Sequence, residues 1–412
     1  NTRLIIMESF EHLLYQLHLS YLQARKNKRN THNQLRFEMY QEEGLMQLAK
    51  AIYQRKYNPK PCIAFIIHKP VMREIFAADF TDRIVHHLLY RCLYPIIDSK
   101  LINDTYSCRV GKGTLYGINR VSKFIRSCSN NYSKETYILK LDIQAYFMNM
   151  QHQIIYDKVL AMLPEKKQNY LGISKETILY LLIQTIFNPV KENCRIKGSR
   201  SDWRELPPSK SLFHYSANTG LPIGNLTSQV FGNVYMNDFD HWVKRELKIK
   251  YYGRYVDDMV FVHNDKNYLQ SIIPILSNFL LSILQLSIHP NKIVLVNANE
   301  GIQFLGNIIK PYRNYVSNRT KNNFYQAIQK INKTMAEVPE FSWQQLCDIR
   351  AVLNSYLGIL QHAATYNLRK SMLGKLIKRF YDFFFVSKKI DKVIINEDFW
   401  LWHFSPNYRF IN

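Results

Sequence analysis

Apolar and polar residues alternate along this 412-residue chain with two periods, one typical of helices and one typical of strands. Residues 8–25 place apolar side chains at helical spacing, which predicts an amphipathic helix. The same spacing predicts further helices over residues 34–51, 79–90, 175–187, 227–247 and most of 320–385. Runs rich in branched and aromatic residues predict strands over residues 62–68 and 136–142, and a strand-turn-strand over 69–76.

Two further β-favouring runs flank a pair of adjacent acids, Asp257 and Asp258, within residues 251–263. The pattern is typical of a hairpin whose tight turn presents both acids at its tip. Neighbouring carboxylates repel each other, so one interpretation is an ordinary turn that solvates both. The other is that they face a third carboxylate and together hold divalent cations. Asp142, at the end of the strand over 136–142, is the candidate third acid, although a lone Asp there more often caps a helix.

The charge of the chain indicates a polyanionic partner. Lys and Arg outnumber Asp and Glu by 55 to 32, for a formal net charge of +23. No long apolar span or lipid signal is visible, so nucleic acid is favoured over a membrane. The six cysteines show neither CxxC pairing nor zinc-ligand spacing. With no visible signal peptide, they indicate reduced thiols of a cytoplasmic protein.

Two motifs carry a resemblance to a known family. Residues 255–258, with the sequence Tyr-Val-Asp-Asp, resemble the catalytic palm motif of reverse transcriptases. Residues 220–229 form a Pro/Gly turn that opens a helix, and they resemble motif B of that family, most closely in diversity-generating retroelements. Other segments that match this subfamily in order are 210–213 and 237–240. The similarity covers about residues 10–375.

The resemblance implies a right-hand polymerase of the α+β class, with fingers, an antiparallel palm sheet and a helical thumb. The expected divisions are an N-terminal helix with fingers over 1–135, a palm over 136–310 with a fingers-like insertion over about 163–212, a thumb over 311–385 and an aromatic tail over 386–412. The tail is expected to pack on the body, because so many aromatic side chains suit a buried surface better than a free linker.

The resemblance also assigns the catalytic chemistry. Asp142 and Asp257 would bridge two Mg²⁺ ions about 3.5–4 Å apart, for which Mn²⁺ can substitute. Asp258 would support them, and Ile143 is assigned to the same metal site. Lys292 is expected to protonate the pyrophosphate leaving group, and a solvated loop lysine is the alternative.

Candidate residues for the incoming deoxynucleoside triphosphate lie in the fingers, after Asp142 and in the motif B turn. Arg73 is the first choice for the triphosphate and Lys69 the second, because a planar guanidinium binds phosphate oxygens bidentately. Phe147 is expected to be the steric gate against a ribose 2′-hydroxyl, with Tyr146 as the competing choice and the core as the alternative for either. The remaining candidates are Ile223, Gly224 and Gln229.

Candidate contacts with template and primer are drawn from a basic glycine-containing loop, the acid hairpin, the segment matching the primer grip and the thumb. They are Arg109, Lys112, Tyr255, Phe304, Leu305, Gly306, Arg369 and Lys370. The glycines beside Lys112 let backbone approach a phosphate, yet their spacing fits no nucleotide-binding loop.

The resemblance implies an RNA-directed DNA polymerase of a diversity-generating retroelement, which copies a template-repeat RNA into cDNA. Its expected partners are the RNA template and cDNA, a structured non-coding RNA and a small basic accessory variability protein. Many reverse transcriptases carry Gln where this chain has Ile223, and an aliphatic side chain cannot hydrogen-bond, so error-prone copying is expected. The alternatives are a defence-associated reverse transcriptase that copies its own non-coding RNA, and a non-catalytic RNA-binding scaffold.

Overall fold

A computed structural model describes residues 8–26, 31–68 and 71–396 of the chain. The helices are α1 (Phe10–Arg25), α2 (His32–Glu38), α3 (Gln41–Tyr53), α4 (Phe80–Lys100), α5 (Thr114–Cys128), α6 (His152–Met162), α7 (Lys175–Ile186), α8 (Leu226–Tyr235), α9 (Asn237–Arg245), α10 (Lys266–Leu284), α11 (Asn318–Glu337), α12 (Trp343–Leu360), α13 (Tyr366–Leu373) and α14 (Phe380–Phe383). The strands are β1 (Cys62–Ile67), β2 (Arg73–Ala77), β3 (Tyr137–Asp142), β4 (Asn169–Tyr170), β5 (Ile173–Ser174), β6 (Cys194–Ile196), β7 (Tyr252–Tyr255), β8 (Asp258–His263), β9 (Val294–Asn297), β10 (Ile302–Phe304), β11 (Asn307–Lys310), β12 (Arg313–Val316), β13 (Phe384–Val386) and β14 (Val393–Ile395).

The first of two compact units comprises Asn1–Gly113, Leu139–Phe261 and Asn267–Val294. Within it α1 packs on α3 and α4, and α4 packs on α8. Helix α4 begins where Asp79 accepts a hydrogen bond from the backbone N–H of Thr81, as an N-cap residue does. Helix α8 is buried along almost its whole length, which places the helix that follows the motif B turn in the core of this unit.

A small mixed sheet of order β2-β1-β6 carries Arg73, the first-choice candidate of the fingers. Strand β1 pairs antiparallel with β2, and Cys62 pairs with Cys194 of the parallel strand β6. Strand β6 comes from within the predicted insertion at 163–212, so this part of the insertion extends the sheet.

The four-stranded sheet has the order β7-β8-β3-β9, and it carries the acids. Strands β7 and β8 form an antiparallel hairpin, with Tyr255 paired to Asp258 next to the turn. Strand β3 is internal to the sheet, and Ile138, Leu139 and Leu141 are fully buried. This burial explains why its apolar run is nearly continuous instead of alternating.

The second unit comprises Thr114–Ile138, Val262–Lys266 and Leu295–Asn412. It contains the antiparallel sheet β10-β11-β12, with α5 against β11. Its helices α11 to α14 and the hairpin β13-β14 share one hydrophobic core, in which Phe324, Leu353 and Phe380 are fully buried. This core agrees with the helical pattern predicted over most of 320–385.

The predicted α+β class is confirmed, but two predicted helices are each divided in the structure. The helix expected over 34–51 becomes α2 and α3, because the backbone at Tyr40 leaves the helical region (φ −130°, ψ 41°). The helix expected over 227–247 becomes α8 and α9, which meet at the buried residue Met236. The expected domain boundaries stay predictions, as does the packing of the tail, since residues 397–412 lie outside the described residues.

Within the described part of the chain, α10 is long and apolar enough to cross a membrane by length and composition. The sequence had been expected to hold no such span. One face of α10 is buried, and it carries Leu269, Ile272, Leu276, Leu280 and Leu284 at helical spacing. A helix packed in the core of a folded unit meets the same criteria, so this finding assigns no membrane contact.

Candidate active site

The acid hairpin has a two-residue turn formed by Val256 and Asp257. Asp258 is already the first residue of β8, so only one of the two acids lies at the tip, where both had been expected. Val256 has a positive φ of 56°, which is uncommon for a β-branched residue. The two adjacent carboxylates therefore project from different parts of the hairpin, Asp257 from the turn and Asp258 from a strand.

Asp142 ends β3, the strand beside β8 in the sheet, and only 8% of it is exposed. Burial, and then the charges of Asp142 and Asp258, raise the pKa of Asp257 to about 6. Burial also raises the pKa of Asp258. The structure thus brings Asp142 within electrostatic range of Asp257 and Asp258, which lie more than 100 residues further along the sequence.

Two lysines neutralise part of this negative charge. Nζ of Lys292 lies 2.8 Å from Oδ1 of Asp142, and Nζ of Lys140 lies 3.1 Å from Oδ1 of Asp258. Lys292 was a sequence candidate and Lys140 was missed. The geometry of a strand could have revealed Lys140, because side chains two residues apart point to the same face of the sheet, and Lys140 lies two residues before Asp142.

Among the described residues, no group of three or more His, Cys, Asp and Glu is arranged as a ready metal site. The acids nevertheless fit divalent cations, since carboxylate oxygens are the ligands that hard cations prefer. The ammonium groups on Asp142 and Asp258 already show two positions where a cation is stabilised. Ile143 is buried and forms a β-bridge with Ile288. Its aliphatic side chain has no ligand atom, so only its backbone could contact a metal, and this assignment stays a prediction.

Tyr146 and Phe147, the two gate candidates, have different surroundings. Tyr146 is 4% exposed, and its hydroxyl donates to the carbonyl of Gly232 at 2.7 Å. Burial raises the pKa of this phenol. Phe147 is half-buried, with its ring edge-on to Tyr146 at 5.2 Å between centroids. This arrangement favours Phe147 as the gate and a packing role for Tyr146.

The motif B turn contacts β2, the strand on which Arg73 stands. The backbone N–H of Phe76 donates to the carbonyl of Ile223 at 3.0 Å. Gly224 has φ +123°, and a Cβ there would come within 3.0 Å of Ile75 and 3.3 Å of the carbonyl of Phe76, so the close approach requires glycine. Arg73 is exposed at the start of β2.

Two other nucleotide candidates differ in what the structure shows of them. Gln229 is exposed on α8 and accepts a hydrogen bond from the thiol of Cys108 at 3.3 Å. Lys69 lies outside the described residues.

Glu74, the residue after Arg73, was not found by sequence reasoning. It is 1% exposed and accepts three hydrogen bonds, from Nε1 of Trp203 at 2.7 Å, Oγ of Ser211 at 2.6 Å and the backbone N–H of Leu212 at 2.7 Å. All three donors belong to the predicted fingers-like insertion over about 163–212. This part of the insertion therefore anchors β2, and with it the strand position of Arg73.

The residues predicted to contact nucleic acid from the basic loop and the acid hairpin differ in how accessible they are. The side chain of Arg109 is 6% exposed, with Nε 2.6 Å from Oδ1 of Asp98, and it donates to the carbonyl of Ile102. Burial of this kind indicates a structural link between α4 and the loop and does not favour phosphate contact. Lys112 bonds Asn103, and Tyr255 is half-buried on β7.

In the second unit, Leu305 and Gly306 form the two-residue turn between β10 and β11, both with positive φ (50° and 86°) as in a type I′ turn. Phe304 is fully buried, so of these three candidates only Leu305 and Gly306 are accessible to a primer strand. In the segment predicted to be the thumb, Arg369 is 8% exposed and donates to the carbonyls of Lys389 and Ile390, which again indicates a structural role. Lys370 is exposed. As nucleic-acid contacts, all of these stay predictions.

Comparison with known proteins agrees with this site. The family described as "Reverse transcriptase (RNA-dependent DNA polymerase)" matches residues 67–309, a span that contains all three acids. Protein YkfC of Escherichia coli (strain K12) is 22% identical over 323 residues, which cover 70% of this chain and 76% of that protein.

Solved structures with similarity to this chain include two yeast telomerases. Telomerase from Candida albicans, in complex with the TWJ fragment of telomeric RNA, has a TM-score of 0.46 and 14% identity, covering 83% of this chain and 60% of that one. Apo telomerase from Candida tropicalis has a TM-score of 0.47 and 13% identity, covering 78% of this chain and 63% of that one. The chain thus spans less than two thirds of either telomerase.

The family match covers more than half of the chain and includes the β3 acid, the motif B turn and the acid hairpin. The predicted right-hand polymerase fold is confirmed by this membership, and the family uses divalent metal ions. The chain belongs to the reverse transcriptase family and is an RNA-directed DNA polymerase.

Proposed function

We propose that this reverse transcriptase makes error-prone cDNA from the template-repeat RNA of a diversity-generating retroelement. The observation that carries the proposal is Ile223 in the motif B turn, where many reverse transcriptases have Gln. The order of the segments at 210–213, 220–229, 237–240 and 255–258 also supports this subfamily. The proposed partners are a structured non-coding RNA and a small basic accessory protein, in the cytoplasm.

The surroundings of Ile223 support an apolar and not a polar contribution to base-pair selection. Its side chain is half-buried and packs against a hydrophobic cluster that includes Phe76 and Met148. Its carbonyl is bound to the N–H of Phe76 at 3.0 Å. A branched aliphatic held in this way offers shape but no hydrogen bond to constrain the incoming nucleotide.

The proposed chemistry assigns each step to a residue of this site. Asp142 and Asp257 would hold the divalent ions, expected to be Mg²⁺, which would lower the pKa of the primer 3′-hydroxyl and neutralise charge on the triphosphate. Arg73 orients the triphosphate. The primer 3′-hydroxyl gives its proton to solvent, and its oxygen bonds the α-phosphorus as the bond to pyrophosphate breaks. Lys292, whose ammonium group lies beside Asp142, supplies a proton to the departing pyrophosphate.

Replacing Ile223 by Gln is expected to reduce misincorporation. The added amide can brace the nucleotide against the template base, and about 1.4 kcal/mol of added discrimination lowers an error ratio tenfold. Sequencing cDNA made by both enzymes on one template measures this, with attention to template adenines, where the family resemblance directs most errors. Ile223→Val keeps the aliphatic contact and is the matched control. Equal errors at equal positions in the wild-type and Gln enzymes would show that Ile223 only packs the turn.

RNA binding is expected to weaken steeply with salt because the chain carries a formal charge of +23. Each phosphate contact to a single strand contributes a slope of about −0.7 in log affinity against log salt. Filter binding across a salt series should therefore give a slope of about −3 or steeper, and Lys370→Gln should flatten it by about 0.7. If affinity hardly changed with salt concentration, the surplus of basic residues would not be the surface that binds RNA.

A second candidate function is a defence-associated reverse transcriptase that copies its own non-coding RNA. The exposed Lys370 and the charge of the chain suit either RNA. Sequencing the nucleic acid that copurifies with the protein distinguishes the two. A template repeat paired with a variable gene supports the retroelement, whereas a single non-coding RNA with its cDNA supports the defence enzyme.

A further inference from the structure

The residue before Asp257 has a costly backbone conformation. Val256 has φ +56°, although a β-branched side chain disfavours the left-handed region more than most. Such a conformation persists only where surrounding contacts enforce it. Because Val256 and Asp257 alone make up the turn, rotation about the Val256 backbone would move the Asp257 carboxylate directly.

Both backbone polar groups of Val256 are held by buried side chains. Its N–H donates to Oγ of Ser107 at 3.1 Å, and its carbonyl accepts from Nη1 of Arg254 at 2.8 Å. Ser107 is 2% exposed and Arg254 is fully buried. The left-handed residue is therefore bound from two sides by groups on different segments of the first unit.

The arginine is itself fixed by a fully buried acid on α9. Arg254 donates through Nε and Nη2 to Asp240, with the shortest contact 2.6 Å from Nη2 to Oδ2, and the hydroxyl of Tyr252 donates to Oδ1 of the same acid at 2.6 Å. A bidentate fork of this kind restricts the guanidinium in both position and orientation. The remaining donor, Nη1, is thereby directed at the turn.

The segment that contains Ser107 is also held by hydrogen bonds. The N–H of Arg254 donates to the carbonyl of Asp104 at 2.9 Å, and the N–H of Tyr106 donates to the carbonyl of Arg254 at 3.0 Å. The side-chain amide of Asn233 on α8 donates to the carbonyl of Ser107 at 2.9 Å. The segment before Ser107 thus lies along β7 like an added strand.

We propose that Ser107 and Arg254 are positioning residues, which hold Val256 in the left-handed conformation and so aim the Asp257 carboxylate at the metal position. Neither touches substrate. The proposal rests on the assignment of Asp257 as a metal-binding acid. Metal–oxygen distances are short and narrowly defined, so a small rotation of the turn is enough to weaken binding.

Two variants test the proposal, and each one changes one of the two side chains that hold the Val256 backbone. Ser107→Ala removes the acceptor of the Val256 N–H and the donor to Oδ1 of Asn233 at 3.3 Å, and it leaves the Arg254–Asp240 pair intact. Arg254→Lys keeps a buried charge beside Asp240 but loses the fork. Each is expected to lower kcat about tenfold and leave the KM for nucleotide within about twofold, the effect of one lost buried hydrogen bond on the reacting geometry. Binding of Mn²⁺ to the substrate-free protein, measured by electron paramagnetic resonance, should weaken by a similar factor.

Ser20→Ala is the matched control. Its hydroxyl is fully buried in α1, donates to the carbonyl of Gln16 at 2.8 Å and accepts from Arg91 at 3.0 Å. It should lower the melting temperature about as much as Ser107→Ala while leaving kcat and Mn²⁺ affinity unchanged. If both serine variants lose activity only in proportion to stability, the positioning role is wrong.

Asp257→Asn, measured in parallel, separates this proposal from its premise. Loss of Mn²⁺ binding in Asp257→Asn together with wild-type binding in Ser107→Ala and Arg254→Lys would overturn the positioning role alone. Wild-type Mn²⁺ binding in Asp257→Asn would overturn the metal assignment itself. If Arg254→Lys fails to fold, Ser107→Ala alone decides the outcome.

Discussion

Asp257→Asn is expected to abolish DNA synthesis and to leave RNA affinity within about twofold of the wild type. The carboxylate is one of three that share a site, and the charges of Asp142 and Asp258 raise its pKa after burial does. An amide keeps the shape but removes the charge that attracts a divalent cation, and loss of metal-assisted catalysis costs at least about a thousandfold in rate. Primer extension on an RNA template measures the rate, and filter binding measures affinity.

The matched control for Asp257→Asn is Asp157→Asn, which removes the same charge from an exposed position on α6. It should leave both rate and affinity unchanged, because one exposed charge scarcely alters a surface of net charge +23. Retained extension by Asp257→Asn would refute the metal assignment. A large loss of RNA affinity would instead place Asp257 in RNA binding.

Phe147→Ala is expected to admit ribonucleotides and to lower sugar discrimination about a hundredfold. The Phe147 ring lies edge-on to Tyr146 and beside α8, where a Cβ on Gly232 would come within 3.3 Å of it. Because the ring is wedged in place, it cannot rotate away from a 2′-hydroxyl without moving these neighbours. The ratio of kcat/KM for a deoxynucleotide to that for the matching ribonucleotide measures the effect.

Tyr146→Phe separates the two gate candidates. It removes only the hydroxyl that donates to Gly232, so sugar discrimination should stay at the wild-type value if Tyr146 is a core residue. Unchanged discrimination in Phe147→Ala, or a loss in Tyr146→Phe, would move the gate away from Phe147.

The amino-acid sequence by itself determined the features that depend on neighbouring residues. The acid hairpin, the strand ending at Asp142, the motif B turn and the amphipathic thumb helices all follow from local spacing, since side-chain periodicity and turn residues act within a few positions. The family motifs lie within these segments, so they too could be identified from short stretches of sequence.

Only the tertiary structure decided which partner each polar group has. Lys140 on Asp258, the three donors on Glu74 and the pairing of Asp240 with Arg254 join segments whose approach no local pattern encodes. It also showed Arg109 to be a buried structural link, although an arginine in a basic loop looks like a phosphate contact. The physical reason is that burial and charge pairing depend on which distant segments pack around a residue and exclude water from it. The same residue type is therefore a ligand, a structural support or a surface charge, depending on its position in the fold.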